Sequence, residues 1–382
     1  MPALTLFYFL SRYQRLSQSW TDVVARIRSL PNFEFFLKPT PFQALRAAAA
    51  NGPVIVLNVS NLRTDAIIVL SNANPVLVPL PGASHQVISE LAMSARSSTK
   101  DPEFKNFLGN LWKLIVQPIV QVLQADLLPG SRIWWCPTGS STLLPLHAAG
   151  DYSKRCENLP ALYISSYTPT LSALLRARSS VSAESGAAPR LLVVGQSGTP
   201  GQVPLPLVLA EIRRIRTIAP EGTTLEGSSA TSEKVLEAMS QHPYIHLSCH
   251  GHVNHQQPFL SHFSLHDKPL LVSDLVKRKI PNAEFAFLSA CHSAAGNTDT
   301  PDEVFHLTAS LQFAGFRSVV GTMWAMVDDD GPEIAEAFYS SFLGHNVPKA
   351  LSSAHALHCA VTVLRRKKVS PSRWACFVHF GC

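Results

Sequence analysis

Two short runs constrain the fold of this chain more than anything else in it: Tyr244-Ile245-His246-Leu247-Ser248 and Phe285-Ala286-Phe287-Leu288-Ser289. The second is unbroken in apolar side chains up to its last residue, and the first has the same strand form with His246 and Ser248 inside it. That is the pattern of a strand buried on both faces of a sheet. Runs of the same kind recur at 53–59, 65–70, 76–80, 132–136, 190–195, 318–323 and 374–380. The stretches 143–149 and 161–165 complete the first half. Between the runs lie segments with helical spacing: 84–97, 104–123, 169–178, 207–218, a helix capped by Thr231 and reaching Met239, then 303–313, 331–342 and 347–364. Strands alternating with helices predict an α/β fold, a mostly parallel sheet covered on both faces. No internal repeat of 20–50 residues is evident.

The organisation divides into four parts. Residues 1–50 read as a helical N-terminal remnant: Trp20, Val23, Val24, Ile27 and Leu30 keep helix spacing, Pro31 ends that helix, and 42–50 reads as another. A first α/β half spans 51–178. The small, polar stretch 179–189 is the best linker in the chain. A second α/β series fills 190–382.

Composition excludes several classes. With 46% hydrophobic and 15% charged residues in 382, the chain is globular and long enough for a large core. Net charge is +6, but the basic residues are scattered. The one cluster, Arg365-Arg366-Lys367-Lys368, closes an expected helix where the dipole favours cations, so no nucleic-acid partner is expected. Seven cysteines, an odd number without framework spacing, point to a reducing compartment. No apolar run has the length of a membrane span, and Leu4 to Leu10 lacks the flanks of a signal peptide. The expectation is a cytoplasmic or nuclear protein without a membrane partner.

The chemistry sits where the two constraining runs end. The first spills into Cys249-His250-Gly251-His252, the second into Ala290-Cys291-His292. Neighbouring strands would set the Cys291 thiol beside the His250 imidazole, the minimum apparatus for a thiolate nucleophile. The backbone amides of Gly251 and Cys291 are natural oxyanion donors. The competing reading is a buried structural cysteine and a satisfied core histidine. Zinc competes for His246, Cys249, His250, His252 and His255, but no second spaced pair completes four ligands, so no metal and no cofactor is expected. Gly195-Gln196-Ser197-Gly198 reads as a turn rather than a nucleophile elbow, and no phosphate-binding fingerprint occurs. Asp328-Asp329-Asp330 either receives a basic side chain of a substrate or caps the helix beginning near Gly331.

Together these stretches resemble the CHAT domain of the caspase-like cysteine peptidases, a family often found behind tetratricopeptide repeats and related to separase. The matching pieces are His246 to Gly251, Leu288 to Ser293, Phe313 to Trp324, then Asp328, Ala337-Phe338-Tyr339 and Trp374 to Val378, in family order. Weaker similarity runs back through Trp134 to Leu146 and Tyr163 to Ala173. The resemblance implies a caspase-like α/β/α sandwich over 190–382, preceded by a pseudo-caspase half. It makes His250 the catalytic histidine and Cys291 the nucleophile. It makes Asp328 and Asp330 the acids that would receive a P1 arginine. The implied function is a cysteine endopeptidase acting on protein substrates, with a regulatory or tetratricopeptide-containing protein as partner. The alternative is a catalytically silent CHAT domain acting as an interaction module.

Overall fold

The computed structural model describes residues 3–382 apart from 32, 98–100, 154–156, 180–189, 255, 279, 281, 291–306 and 345–351. Almost all of the expected linker therefore lies outside the described residues, and so do Cys291 and His255. The chain forms two compact units, Met1–Ala47 and Ala48–Cys382. The first is built on a long helix, Ala3–Arg28, followed by the short helix Phe42–Leu45. Arg28 turns back to donate to the carbonyl of Phe36 at 2.9 Å and to that of Leu37 at 3.4 Å.

The second unit is organised by strands. In chain order they are β1 Val54–Val59, β2 Thr64–Val69, β3 Val76–Pro79, β4 Arg132–Pro137, β5 Ile164–Tyr167, β6 Leu191–Gly195, β7 Thr223–Glu226, β8 Tyr244–Ser248, β9 Gly251–His252, β10 His262–Phe263, β11 Leu270–Leu271, β12 Phe285–Ser289, β13 Ser318–Thr322 and β14 Phe377–Gly381. Among the described residues, eleven of them make one sheet in the order β3-β2-β1-β4-β5-β14-β13-β12-β8-β6-β7. β9, β10 and β11 make a separate small antiparallel sheet. The large sheet is parallel except at β1/β2, β2/β3 and β13/β14.

Period-two alternation sends neighbouring residues to opposite faces. Leu191, Val193, Phe285, Phe287 and Val320 bury one face under the helices Val208–Ile218, Asp330–Phe342 and Ser352–Arg366. Leu192, Val194, Ile245, Leu247, Ala286, Leu288 and Val319 bury the other under Ser232–Met239, Val272–Arg278 and Leu307–Ala314. This two-face burial is why β12 is apolar up to its last residue, whereas in β8 the polar His246 and Ser248 find partners on one face.

β14 joins the two halves of the sheet. It runs antiparallel to β13, from Ser318↔Gly381 to Thr322↔Phe377, and parallel to β5 at Phe380↔Tyr167. Trp134 Nε1 donates to the Gly381 carbonyl at 2.7 Å. Gly381 has φ +95°, and a Cβ there would collide with the Arg317 carbonyl, so the close approach requires glycine. His379, fully buried, hydrogen-bonds with Ser166 at 2.9 Å, Ser318 at 2.6 Å and Ser353 at 2.9 Å.

Several elements differ from the sequence reading for identifiable reasons. Pro371–Trp374 forms a short helix, because proline is pre-organised for a first turn, and β14 starts only at Phe377. The expected 104–123 helix contains a π-helical stretch, Trp112–Val116, just before Pro118. Proline has no N–H to donate and its ring crowds the carbonyl four residues back, which a wider turn relieves. The stretch 143–149 holds the end of one 3₁₀ turn, Gly139–Leu143, and a second, Leu146–Ala148, instead of regular structure.

The seam between the halves is rich in buried imidazoles. His147, His358 and His379 line one small cavity with Tyr163, Tyr167 and Trp374. Burial pushes His147 and His358 down to about 4, and in His358 the charges of His355 and Arg365 add to the effect. Burial, then the charge of Arg132, holds His379 well below its ordinary value. All three are neutral when folded, whereas in the unfolded chain they take up protons near pH 6.5. Their contribution is therefore complete above pH 6.5 and is lost as the pH falls towards 4. The loss amounts to about 3 kcal/mol each for His147 and His358 once the pH is below their folded values. Urea midpoints should fall steadily from pH 7 to 4.5, and His358→Gln should flatten part of that slope. A flat wild-type profile would contradict this account.

Candidate active site

β8 and β12 lie side by side, paired in parallel from Tyr244↔Phe285 to Ser248↔Ser289. Their carboxyl ends meet at the same edge of the sheet, where open α/β folds hold ligands. From β12 the chain leaves through Ala290, whose carbonyl accepts the Thr322 hydroxyl at 3.0 Å. Cys291, and with it the proposed nucleophile and one oxyanion amide, lies outside the described residues.

His250 follows β8 directly. Its backbone carbonyl accepts the Ser264 amide at 2.9 Å, tying it to the small sheet. Its Nε2 hydrogen-bonds with the Val203 carbonyl at 2.7 Å. A carbonyl only accepts, so Nε2 carries a proton in this contact and Nδ1 is the ring nitrogen left to exchange one. Gly251 opens β9, opposite Phe263 of β10. Among the described residues, His246, His250 and His252 point to different partners. His246 turns into the core, where it stacks on Phe287 at 5.1 Å and hydrogen-bonds with the Tyr339 hydroxyl at 3.2 Å. His252 packs against His262 at 5.0 Å. Among the described residues no group of three or more His, Cys, Asp or Glu side chains could hold a metal ion.

The acidic stretch divides. Asp328 accepts the Leu207 backbone amide, and burial raises its carboxyl above the ordinary range. Glu211 and Asp329 push the same way, while the Leu207 amide and the charge of His250 oppose them. Asp328 thus lies within electrostatic reach of His250. Asp330 is committed elsewhere: its two oxygens accept Arg373 Nε at 2.9 Å and Nη2 at 2.7 Å. It is 3% exposed and stands in the first turn of Asp330–Phe342. The loop between β13 and this helix is pinned further, by Trp324 Nε1 to the Ser372 carbonyl at 2.9 Å and by the Met323 amide to Cys376 at 2.8 Å.

Three groups at this edge escaped the sequence reading. The Val203 carbonyl has no side-chain signature. Glu211 is buried, accepting the Ser248 hydroxyl on Oε2 at 2.6 Å. Its Oε1 faces His246 Nε2 at 3.2 Å, off the line of a hydrogen bond. The start of the helix Asp330–Phe342 lies close to this carboxylate: a Cβ at Gly331 would stand at ordinary contact distance, 3.4 Å, from Glu211 Oε2. Gln196, at the end of β6, gives its Nε2–H to the Gly198 carbonyl at 2.6 Å and leaves Oε1 buried without a hydrogen bond. Glu211 had a legible signal: it sits on the helix face set by Val208, Ile212 and Ile215, where a carboxylate has no packing reason to be.

The arrangement resembles that of known peptidases in fold. Saccharomyces cerevisiae separase, solved in complex with securin, superposes with a TM-score of 0.61 at 11% identity, covering 89% of this chain and 30% of that one. A second separase–securin structure gives 0.60 at 11% identity, with 88% and 30% coverage. The Arg-specific cysteine proteinase gingipain R gives 0.46 at 10% identity, with 70% and 68% coverage. The chain thus spans about 30% of the separase chains that it matches. No curated protein sequence matches it. The sheet and its helical layers are therefore a caspase-like α/β fold, like that of separase. A family model described as the CHAT domain matches residues 105–382, taking in β4 and β5 as well as every later strand, and the chain belongs to the CHAT domain family.

Proposed function

We propose that this chain is a cysteine endopeptidase with Cys291 as nucleophile and His250 as its base. The observation that carries the reading is the fixed ring of His250: Nε2 is held by the Val203 carbonyl at the edge where β12 delivers the chain to position 291. Nδ1 is then the basic nitrogen. It takes the Cys291 proton, and the thiolate adds to the scissile carbonyl. The amides of Gly251 and Cys291 stabilise the oxyanion. The tetrahedral intermediate collapses with cleavage of the C–N bond, and His250 returns the proton to the departing amine. Water, deprotonated by His250, then hydrolyses the thioester and frees the thiol.

Of the two acids named from the sequence, we assign substrate recognition to Asp328, because both oxygens of Asp330 are engaged by Arg373. A basic P1 side chain suits the site on two grounds. Asp328 lies among like charges that a cation would relieve. Glu211 Oε1 and Gln196 Oε1 are buried acceptors that a donor-rich guanidinium would satisfy.

The test is labelling by a peptidyl acyloxymethyl ketone with arginine at P1, with the adduct mapped by mass spectrometry. Modification should fall on Cys291 and vanish in His250→Ala. Peptide turnover should drop by about three orders of magnitude or more in Cys291→Ala. No labelling by this or any other P1 side chain would instead support the silent interaction module.

Asp328→Asn should lower kcat/KM for P1-arginine substrates by about 30-fold or more while sparing the fold. Asp330→Asn should instead lower stability by about 2 kcal/mol, since it removes a charge-assisted pair, and lower kcat/KM less than Asp328→Asn does, since it only loosens the loop that carries Asp328. Equal kinetic losses in the two variants would discard the assignment of Asp328 over Asp330.

A further inference from the structure

The helix Ala3–Arg28 carries a pattern that the peptidase reading does not use. Phe9, Tyr13, Leu16, Trp20, Val23 and Ile27 follow one another at alternating steps of four and three. That is a period of 3.5, the seam of a left-handed coiled coil, narrower than the broad apolar face of a helix packed on a globular core. The unit Met1–Ala47 leaves this seam bare: Phe9 is 57% exposed, Tyr13 71%, Leu16 62%, Trp20 62% and Val23 45%. A row of large exposed apolar side chains along one helix marks an interaction surface.

The flanks of the seam say what covers it. Arg12 and Arg26 occupy the same heptad position beside the seam on one flank, both exposed, with Arg15 behind them. Leu10, Ser17 and Val24 stand at the equivalent positions on the other flank, where Val24 is buried, and Ile27 at the end of the seam is half-buried. The helix has one acid, Asp22, which accepts Gln18 at 2.9 Å; it shares the heptad position of Arg15 and stands four residues before Arg26, so the Arg flank is three arginines against one acid. Flanking charges choose the partner and orientation of such seams. A second copy of this chain is a poor match. Packed parallel, Arg12 meets Ser17 and finds no acid. Packed antiparallel, Arg12 and Arg26 oppose one another. A membrane surface is a poor match too, since the polar face is mostly uncharged Ser, Gln and Thr rather than basic.

We infer that this seam receives an amphipathic α-helix of a partner protein whose own heptads carry acidic residues beside the apolar positions. Apolar burial supplies the affinity, and the Arg12 and Arg26 flank selects the acid-bearing partner over a neutral or basic one.

The probe is a synthetic 28-residue helix with Leu at both seam positions and Glu at both flanking positions, titrated into the full chain by fluorescence anisotropy. An otherwise identical peptide with Lys for Glu is the comparison. The Glu peptide should bind at least tenfold tighter, and more weakly as salt is raised. The double variant Leu16→Glu/Trp20→Glu should lose binding at least tenfold with its thermal unfolding unchanged. Arg12→Glu/Arg26→Glu should reverse the preference to the Lys peptide. Equal affinity for the two peptides would overturn the inference, as would binding that survives both double variants. So would a wild-type dimer in sedimentation that Leu16→Glu/Trp20→Glu dissolves, or tighter binding to phosphatidylserine vesicles than to the Glu peptide.

Discussion

β8 and β12 pair in register along their whole length, and both faces of both strands are buried. A polar side chain within that layer must find a partner or be desolvated at a cost of several kcal/mol. His246 obeys through Nδ1, which hydrogen-bonds with Tyr339, while its Nε2 has only the charge of Glu211 nearby, and Thr322 obeys by bonding the Ala290 carbonyl. Reactive groups are therefore confined to the residues just past the strand ends, and His250 stands there. The strand pairing also sets how far position 250 lies from the start of the 291–306 segment. Hydrophobic layering thus decides where chemistry can occur before any catalytic side chain is considered.

A second dependence runs through β14. The first half of the sheet meets the second only across this strand, whose contact with β5 is short. Much of the joint is polar: Trp134 to Gly381, and His379 to three serines drawn from β5, β13 and the helix Ser352–Arg366. Burying such a network is favourable only when each member is satisfied. The segment leading into β14 also holds the loop of Asp328, through Trp324, Met323 and the Arg373–Asp330 pair. Seam and candidate substrate acid are parts of one bonded assembly.

The sequence made much of this legible, and the boundary of legibility is physical. Largely apolar runs identified β6, β8, β12 and β13, because strands buried on both faces admit few polar side chains. Helical periodicity found Val208–Ile218 and Asp330–Phe342. What escaped depends on partners distant in sequence. Asp330 and Arg373 are 43 residues apart, and nothing local distinguishes Asp330 from Asp328. β9, β10 and β11 have two residues each, too few to display any period. The Val203 carbonyl is backbone and leaves no mark on the residue type. The family likeness named His250 and the two acids as candidates, while the commitment of Asp330 to Arg373 needed coordinates.

The position of β14 has a consequence for how the molecule comes into being. It follows every other strand in sequence yet lies in the interior of the sheet, and its bond to Trp134 closes a loop of 247 residues. During synthesis, at about 5–20 residues per second, the earlier strands emerge well before it does. Until it inserts, two unpaired strand edges, β5 and β13, face each other across a gap, and the loop bearing Asp328 lacks its anchors. Closure of so distant a contact is slow. The nascent chain therefore passes through a stage in which its sheet is split and its cleft unformed. A chain built in this order fixes the loop of Asp328 only after β14 has joined the sheet.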